Sequence, residues 1–404
     1  MSDRPTWEVA DVIREHGQAF LDKYGSSLTA TQRQALRDLA ACRTAALGGH
    51  VERCADCGHQ QIAYNSCRNR HCPKCQATAR AVWLEREAAY LLPVDYHHVV
   101  FTLPAAVADL ALANPAVVYN LLFQAAAQTL RDVAADPKHL GAQPGVLAVL
   151  HTWGQNLHHH PHLHCVVTGG GLSCTARGVV DLAPRWLSCR PGFLLPVRVL
   201  SRVFRGKFLA LLQAALAQHR LRLPGRLAAL AEPAALRRWL TPLYESAWVV
   251  YAKPPFGGPE QVLKYLARYT HRVAISNHRL VALAEGQVTF RYKDYADDQR
   301  SKAMTLSAEE FLQRFVRHVL PKGFVKIRHY GLLANRHRAA KLEVSRRLLL
   351  LVTAAVLLAK VTPAEPAEPP RCPCCGGTHW QRGAEVPRRR GTPLPERVTG
   401  RDTS

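Results

Sequence analysis

Apolar residues recur every three to four positions over residues 7–24, the spacing of an amphipathic helix. A second helical stretch follows Thr29-Ala30-Thr31-Gln32. There a threonine hydroxyl and a glutamine amide three positions on can satisfy the free N–H groups of a helix start. It is predicted to run to Gly48-Gly49, a plausible stop. A cysteine-rich segment fills 54–75, and helical periodicity returns over 76–92. Residues 96–103 are β-rich and end at Pro104, and a long apolar helical stretch covers 105–134. Strands are predicted at 145–153 and 163–168, the latter stopped by Gly169-Gly170-Gly171. Helices follow at 196–220 and 233–246, then a short strand at 248–252. A compact helix over 259–269 opens on Gly257-Gly258-Pro259. Strands at 273–284 and 287–292 flank a turn at Gly286. Strands interleaved with long helices predict an α+β fold.

Segment boundaries follow from this pattern. Residues 1–50 read as helical, 51–92 as a cysteine-rich module with its following helix, and 95–345 as the main α+β domain. Residues 346–360 read as an apolar helix, and 361–404 as a Pro-rich linker, a cysteine cluster and a basic tail without order. The most apolar run, 348–359, is shorter than the ~20 residues that span a bilayer. The polar N-terminus carries no secretory signal, so a cytoplasmic location is expected.

Charge changes the picture. Fifty-three Lys and Arg against thirty Asp and Glu leave a net +23. A frequent arginine explains Arg over Lys, but not the shortage of acids, and the excess points to a polyanion such as nucleic acid. Twelve cysteines without a secretory signal point to metal sites and not to disulfides.

Cys54-Ala55-Asp56-Cys57 and Cys72-Pro73-Lys74-Cys75 form two C-x-x-C hooks fourteen residues apart. That spacing suits one zinc ion held by four thiolates. Cys67 and His71, inside the loop, are further candidate ligands, or simply pack. Arg68, Arg70, Lys74 and Arg80 give the hooks a basic rim, suited to DNA or simply solvated. Cys372-Pro373-Cys374-Cys375-Gly376-Gly377 resembles half of another zinc ribbon, with its remaining ligands left to His379 or to some other part of the fold.

Two further constellations carry chemistry. On a strand, His162 and His164 of Pro161-His162-Leu163-His164-Cys165 face one way and Leu163 the other. Two neighbouring imidazoles can hold a metal ion, Mg²⁺ or Mn²⁺ for phosphate chemistry, with Gln155, His151 and Gln261 as candidates for a third ligand. On the predicted helix, Tyr265 and Tyr269 are four apart and share a face. The cationic neighbours Lys264, Arg268, His271 and Arg272 favour a phenolate and attract a phosphodiester. Such a tyrosine can cut a DNA strand, keep its end as an ester and rejoin it without ATP; no G-x-x-x-x-G-K-[ST] motif is present.

Together these residues resemble the bacterial rolling-circle insertion-sequence transposases of the HUH, two-tyrosine class. The likeness rests on Tyr64-Asn65-Ser66-Cys67-Arg68-Asn69-Arg70-His71-Cys72-Pro73-Lys74-Cys75, on Val99-Val100-Phe101-Thr102-Leu103-Pro104, and on His151-Thr152-Trp153-Gly154-Gln155. It also rests on the histidine strand, on the segment 264–276, and on Gly331-Leu332-Leu333-Ala334-Asn335-Arg336-His337. It spans residues 10–340 or so. The resemblance implies an HUH-type antiparallel sheet flanked by helices, with the histidine strand central and the tyrosine helix beneath it, preceded by a helical and zinc-ribbon-like N-terminal module. It implies metal ligation by His162 and His164, nucleophile roles for Tyr265 and Tyr269, and single-stranded DNA ends as substrates.

Three other readings compete. A rolling-circle replication initiator or relaxase shares the chemistry, although the N-terminal zinc module favours transposition. A zinc-dependent DNA-binding regulator without catalysis would not need its tyrosines. A zinc hydrolase built on His158 to His164 has no H-E-x-x-H motif behind it.

Overall fold

The helices Val9–Tyr24 and Ala30–Ala41 pack on each other through Val12, Ile13, Phe20, Leu36 and Leu39. In this computed structural model the described residues are 5–256, 261–262, 265, 273–294, 297–352 and 370–388. The second helix starts as the sequence predicts. The Gln32 N–H donates to Thr29 Oγ1 at 3.2 Å, and the Thr29 N–H donates to Gln32 Oε1 at 2.8 Å. It stops at Ala41, well before Gly48, because Cys42 turns to extended backbone and carries its buried thiol toward Cys67. A short 3₁₀ turn, Ala45–Leu47, follows.

Strands β1, Gly49–Cys54, and β2, Gln60–Tyr64, form a hairpin inside the segment read only as cysteine-rich. After the helix Gln76–Ala88 comes β3, Tyr96–Thr102. The helix predicted over 105–134 is broken into Ala108–Ala113 and Pro115–Ala135, since Pro115 opens a new helix at its first turn. Then come β4, Ala142–Trp153, β5, His159–Ser173, and β6, Trp186–Ser188. Helices Val197–Ala217 and Pro233–Glu245 lead to β7, Val250–Phe256. The remaining strands are β8, Leu280–Ala284, β9, Gln287–Asp294, β10, Arg300–Ser307, β11, Ile327–Gly331, and β12, Trp380–Val386. Helix Ala308–Val316 follows β10, and helix Arg338–Val352 follows β11. Residues 353–369, which hold the rest of the predicted apolar helix and the linker, and the tail from 389 lie outside the described residues.

Among the described residues three antiparallel sheets result, and the fold is α+β. The largest runs β11-β4-β5-β3-β7, with β6 added to β5, so the histidine strand is central. Its two faces differ because side chains alternate along each strand. On one face Val99, Phe101, Ala148, Leu150, Leu163, Cys165 and Val167 pack against Leu122, Phe204, Phe208 and Leu240 of the helices. The other face carries Tyr96, His98, Leu147, Val149, His151, His162, His164 and Val166. Trp83 and Val262 cover part of it. The sheet β10-β9-β8 packs on helix Ala308–Val316 and the N-terminal pair through Phe290, Phe311, Phe315 and Leu36. The third sheet runs β12-β1-β2, so residues 370–388 return to the start of the chain and are no detached appendage.

Predicted strand 273–284 shrinks to β8, with a 3₁₀ turn at Asn277–Arg279 before it. Strand β5 continues through its three glycines instead of stopping. A Cβ at Gly169 would lie 2.9 Å from the Asp95 carbonyl oxygen, and one at Gly170 3.0 Å from the Trp186 ring. The chain itself fills the space beside these glycines. Among the described residues no helix is long and apolar enough to cross a membrane.

Beside the main core lie two rings, His318 buried and His159 half-buried. The His159 Nε2 is 2.8 Å from the Tyr119 hydroxyl, and His318 bonds the Thr152 hydroxyl and the Leu157 carbonyl. Burial pushes His159 down to about 3 and His318 down to about 4. Below the unfolded value of ~6.5 the unfolded rings take up protons and the folded ones do not. Stability is therefore whole above pH 7 and lost as pH falls toward 4. The expected cost at pH 5 is on the order of 2 kcal/mol for each ring. Thermal melts at pH 7 and pH 5 should show the drop, and His318→Gln should make it shallower.

Candidate metal and tyrosine site

Register between strands assembles the histidines. His151 on β4 lies directly opposite His162 on β5, and His164 is two residues further on the same face. One ring nitrogen from each of His151, His162 and His164 falls within 4.8 Å of the other two, so the three can hold one cation. The His162 and His164 Nε2 atoms converge to 3.1 Å. The His162 Nδ1–H donates to the His160 carbonyl at 2.7 Å, which leaves Nε2 with its lone pair facing the site. Burial pushes His162 down to about 4, so the ring is neutral at pH 7, the form that binds metal. Of the three candidates for a third ligand, His151 joins the pair. Gln261 is exposed, and Gln155 holds Arg279 through its main-chain carbonyl.

The tyrosine reaches the same cluster from below. Gln261, Val262 and Tyr265 are helical, and Val262 is fully buried against Trp83, Tyr96, Leu147, Val149 and Val166. The Tyr265 hydroxyl lies 2.6 Å from His98 Nε2 and 3.1 Å from His164 Nδ1. His98 Nε2 and His164 Nδ1 are themselves 2.8 Å apart. Oxygen and nitrogens thus close a triangle behind the His164 ring, with the converging Nε2 atoms on its other side. His98 is buried and pushed down to about 4 by that burial and by Lys253 nearby, so it is neutral and can accept. Nothing local in the sequence marks His98; its place opposite Val166 on β3 depends on strand register. Tyr269, Lys264, Arg268 and Arg272 lie outside the described residues.

The two predicted zinc hooks are not brought together. Cys72 and Cys75 group with Cys67 and Cys42, and Cys54 and Cys57 group with Cys372 and Cys375. The single four-thiolate site read from the spacing is therefore replaced by two sulfur sets, because β1 carries the first hook to β12 while the second hook closes on the end of helix Ala30–Ala41. In the first set the Cys67 and Cys75 sulfurs are 3.7 Å apart. The edge of a tetrahedron with Zn–S bonds of about 2.3 Å is about 3.8 Å, so the set fits zinc. Cys67 is thus one of four, and His71 is not: its Nε2 accepts from the Leu320 N–H at 3.3 Å.

Two stretches of the chain match known families. Residues 145–341 match a family described as "Putative transposase", and residues 12–103 match "Transposase zinc-binding domain". The chain is 57% identical over 342 residues to "Putative transposase y4qJ" of Sinorhizobium fredii (strain NBRC 101917 / NGR234), covering 85% of this chain and 84% of the relative. It is 30% identical over 309 residues to "Transposase for insertion sequence element IS801" of Pseudomonas savastanoi pv. phaseolicola, covering 74% and 69%. The chain belongs to the IS801-type transposase family. No solved structure matches it.

In this transposase the two matched segments share one site. His98 comes from the zinc-binding segment, and His151, His162, His164 and Tyr265 come from the other. The basic rim divides in two. Arg68 is exposed, with φ of 53°. Arg70, expected on the DNA-binding rim, is half-buried and donates to the Phe324 carbonyl; burial lowers its pKa. Lys74 pairs with Glu8 at 2.7 Å. Arg70→Ala should cost about 1–3 kcal/mol of stability by orphaning that carbonyl. An unchanged melting temperature with a weaker salt dependence of DNA binding would make Arg70 a phosphate contact instead.

Proposed function

We propose that this transposase cuts and rejoins single DNA strands through attack of Tyr265 on phosphorus, in the HUH, two-tyrosine manner. The observation that carries the reading is the Tyr265 hydroxyl, 3.1 Å from a ring whose far nitrogen belongs to the candidate cation site. The Tyr265 oxygen bonds to phosphorus, the bond to the 3′-oxygen breaks, and the products are a 5′-phosphotyrosine and a 3′-hydroxyl. The phenolic proton passes toward His98 Nε2, 2.6 Å away, and the leaving 3′-oxygen gains one. A target 3′-hydroxyl then displaces the tyrosine and restores the phosphodiester. Tyr269, four residues on, serves as the second nucleophile, so two strand transfers follow one another on a rolling-circle route.

His151, His162 and His164 hold the catalytic cation, which when bound polarises a phosphate oxygen and offsets charge in the transition state. An all-imidazole set suits Mn²⁺ better than Mg²⁺. Cys42, Cys67, Cys72 and Cys75 hold a structural zinc inside the segment that matches the zinc-binding family. A cleft of about 540 Å³ next to Trp83, which packs on Val262, would give the strand a path. Arg86, Lys326 and Arg338 line it for phosphates. A replication initiator or relaxase shares the chemistry, and the match to transposase families favours transposition.

Purified protein with Mn²⁺ and single-stranded oligonucleotides from candidate element ends should give a covalent protein–DNA adduct on a denaturing gel. The adduct should vanish in the Tyr265→Phe, Tyr269→Phe double variant and in His162→Ala. Undiminished adduct from the double variant would sink the nucleophile assignment and favour a non-catalytic regulator. In the same assay His98→Ala should slow adduct formation by about 10²-fold or more.

A further inference from the structure

The second sulfur set joins residues that no matched segment unites. Cys54 and Cys57 lie within residues 12–103, whereas Cys372 and Cys375 lie beyond residue 341, past the end of the other match. We propose that these four thiolates hold a second structural zinc that clamps the C-terminal segment to the N-terminal module and completes a zinc ribbon from distant parts of the chain.

The two hooks have the same internal design. Each is a C-x-x-C followed by glycine, Gly58 at φ 75° and Gly376 at φ 76°. In each, the glycine N–H donates to the carbonyl of the first cysteine, at 2.9 Å for Gly58 to Cys54 and 2.8 Å for Gly376 to Cys372. The N–H of the first cysteine donates to the carbonyl five residues on in both, Cys54 to His59 at 2.8 Å and Cys372 to Gly377 at 2.7 Å. These turns aim both sulfurs of a hook at one point, and left-handed glycines allow them. Across the pair, Cys54 faces Cys375 and Cys57 faces Cys372, both with sulfurs 3.6 Å apart. That is close to the edge of about 3.8 Å expected for tetrahedral zinc thiolate, and far beyond the ~2.05 Å of a disulfide.

The surrounding sheet has little else to hold it. No residue of β2 or β12 is fully buried, and in β1 only Gly49 and Cys54 are. Three short strands without an apolar core are not stable alone, and small folds of this kind draw their stability from bound metal. Strand β12 nonetheless pairs with β1 from Gly49↔Val386 to Cys54↔Trp380. The Ala55 N–H continues that pairing with a 2.9 Å bond to the His379 carbonyl, immediately beside the hooks. Cys374, between the two ligands of its hook, is exposed and outside the set.

Cobalt substitution in the full-length protein tests this, because thiolate-to-cobalt charge-transfer absorption reports sulfur-held metal and not the histidine site. Cys372→Ser with Cys375→Ser should halve the absorption per chain, as should Cys54→Ser with Cys57→Ser. All four changes together should remove no more than either pair does, and Cys374→Ser should remove none. Hydrogen exchange in the Cys372→Ser, Cys375→Ser variant should quicken at residues 49–54 and 380–386 and stay slow in β5. Unchanged absorption in that variant would overturn the clamp. So would complete loss, which would mean that the two sulfur sets are not separate sites, and so would four thiols of the untreated protein found in disulfides.

Discussion

The site depends on one constraint, the burial of alternate residues along β5. Leu163, Cys165 and Val167 are held in the main core, and that fixes His162 and His164 on the opposite face. A slip of one residue would drive both imidazoles into an apolar core and expose the leucine, so the register is strongly defended. The neighbouring strands obey the same rule. Packing Ala148 and Leu150 inward turns His151 outward, and packing Val99 and Phe101 inward does the same for His98. Four histidines from three strands thus meet on one surface as a by-product of hydrophobic packing on the other.

Sulfur plays that part where apolar residues are too few. The Cys42, Cys67, Cys72 and Cys75 set lies on the edge of a real core, with Leu36, Leu39 and Ala40 close by, and there the thiols add to packing. The β12-β1-β2 sheet has no such support. The two sulfur sets therefore sit in unlike surroundings although their hooks look alike in sequence.

What was legible followed locality. Period-two alternation was enough to put His162 and His164 on one face of the sheet, and helical periodicity was enough to put Tyr265 in a helix. The fold class and the capping box at Thr29 were read from the same short-range signals. His98 escaped because its role depends on pairing between β3 and β5, which are 66 residues apart at His98 and His164. The partners of Cys54 and Cys57 escaped for the same reason, and their true mates are over 300 residues away, with Cys57 and Cys372 separated by 315. Cys42 is a lone cysteine at a helix end, without a hook to announce it. The polar strands β1, β2 and β12 carry no hydrophobic alternation because no core faces them.

The geometry also bears on how cation and nucleophile act together. His164 has two nitrogens on opposite sides of one rigid ring. Its Nε2 faces His162, and its Nδ1 faces His98 and Tyr265. A ligand at Nε2 requires the proton to stay on Nδ1, which then donates to the Tyr265 oxygen, 3.1 Å away, and leaves the His98 Nε2 lone pair to the phenol. Occupancy of the cation site and orientation of the tyrosine are therefore linked through a single tautomer. Neither half can be rearranged without disturbing the other, and the strand that carries the ring is the most deeply anchored in the sheet.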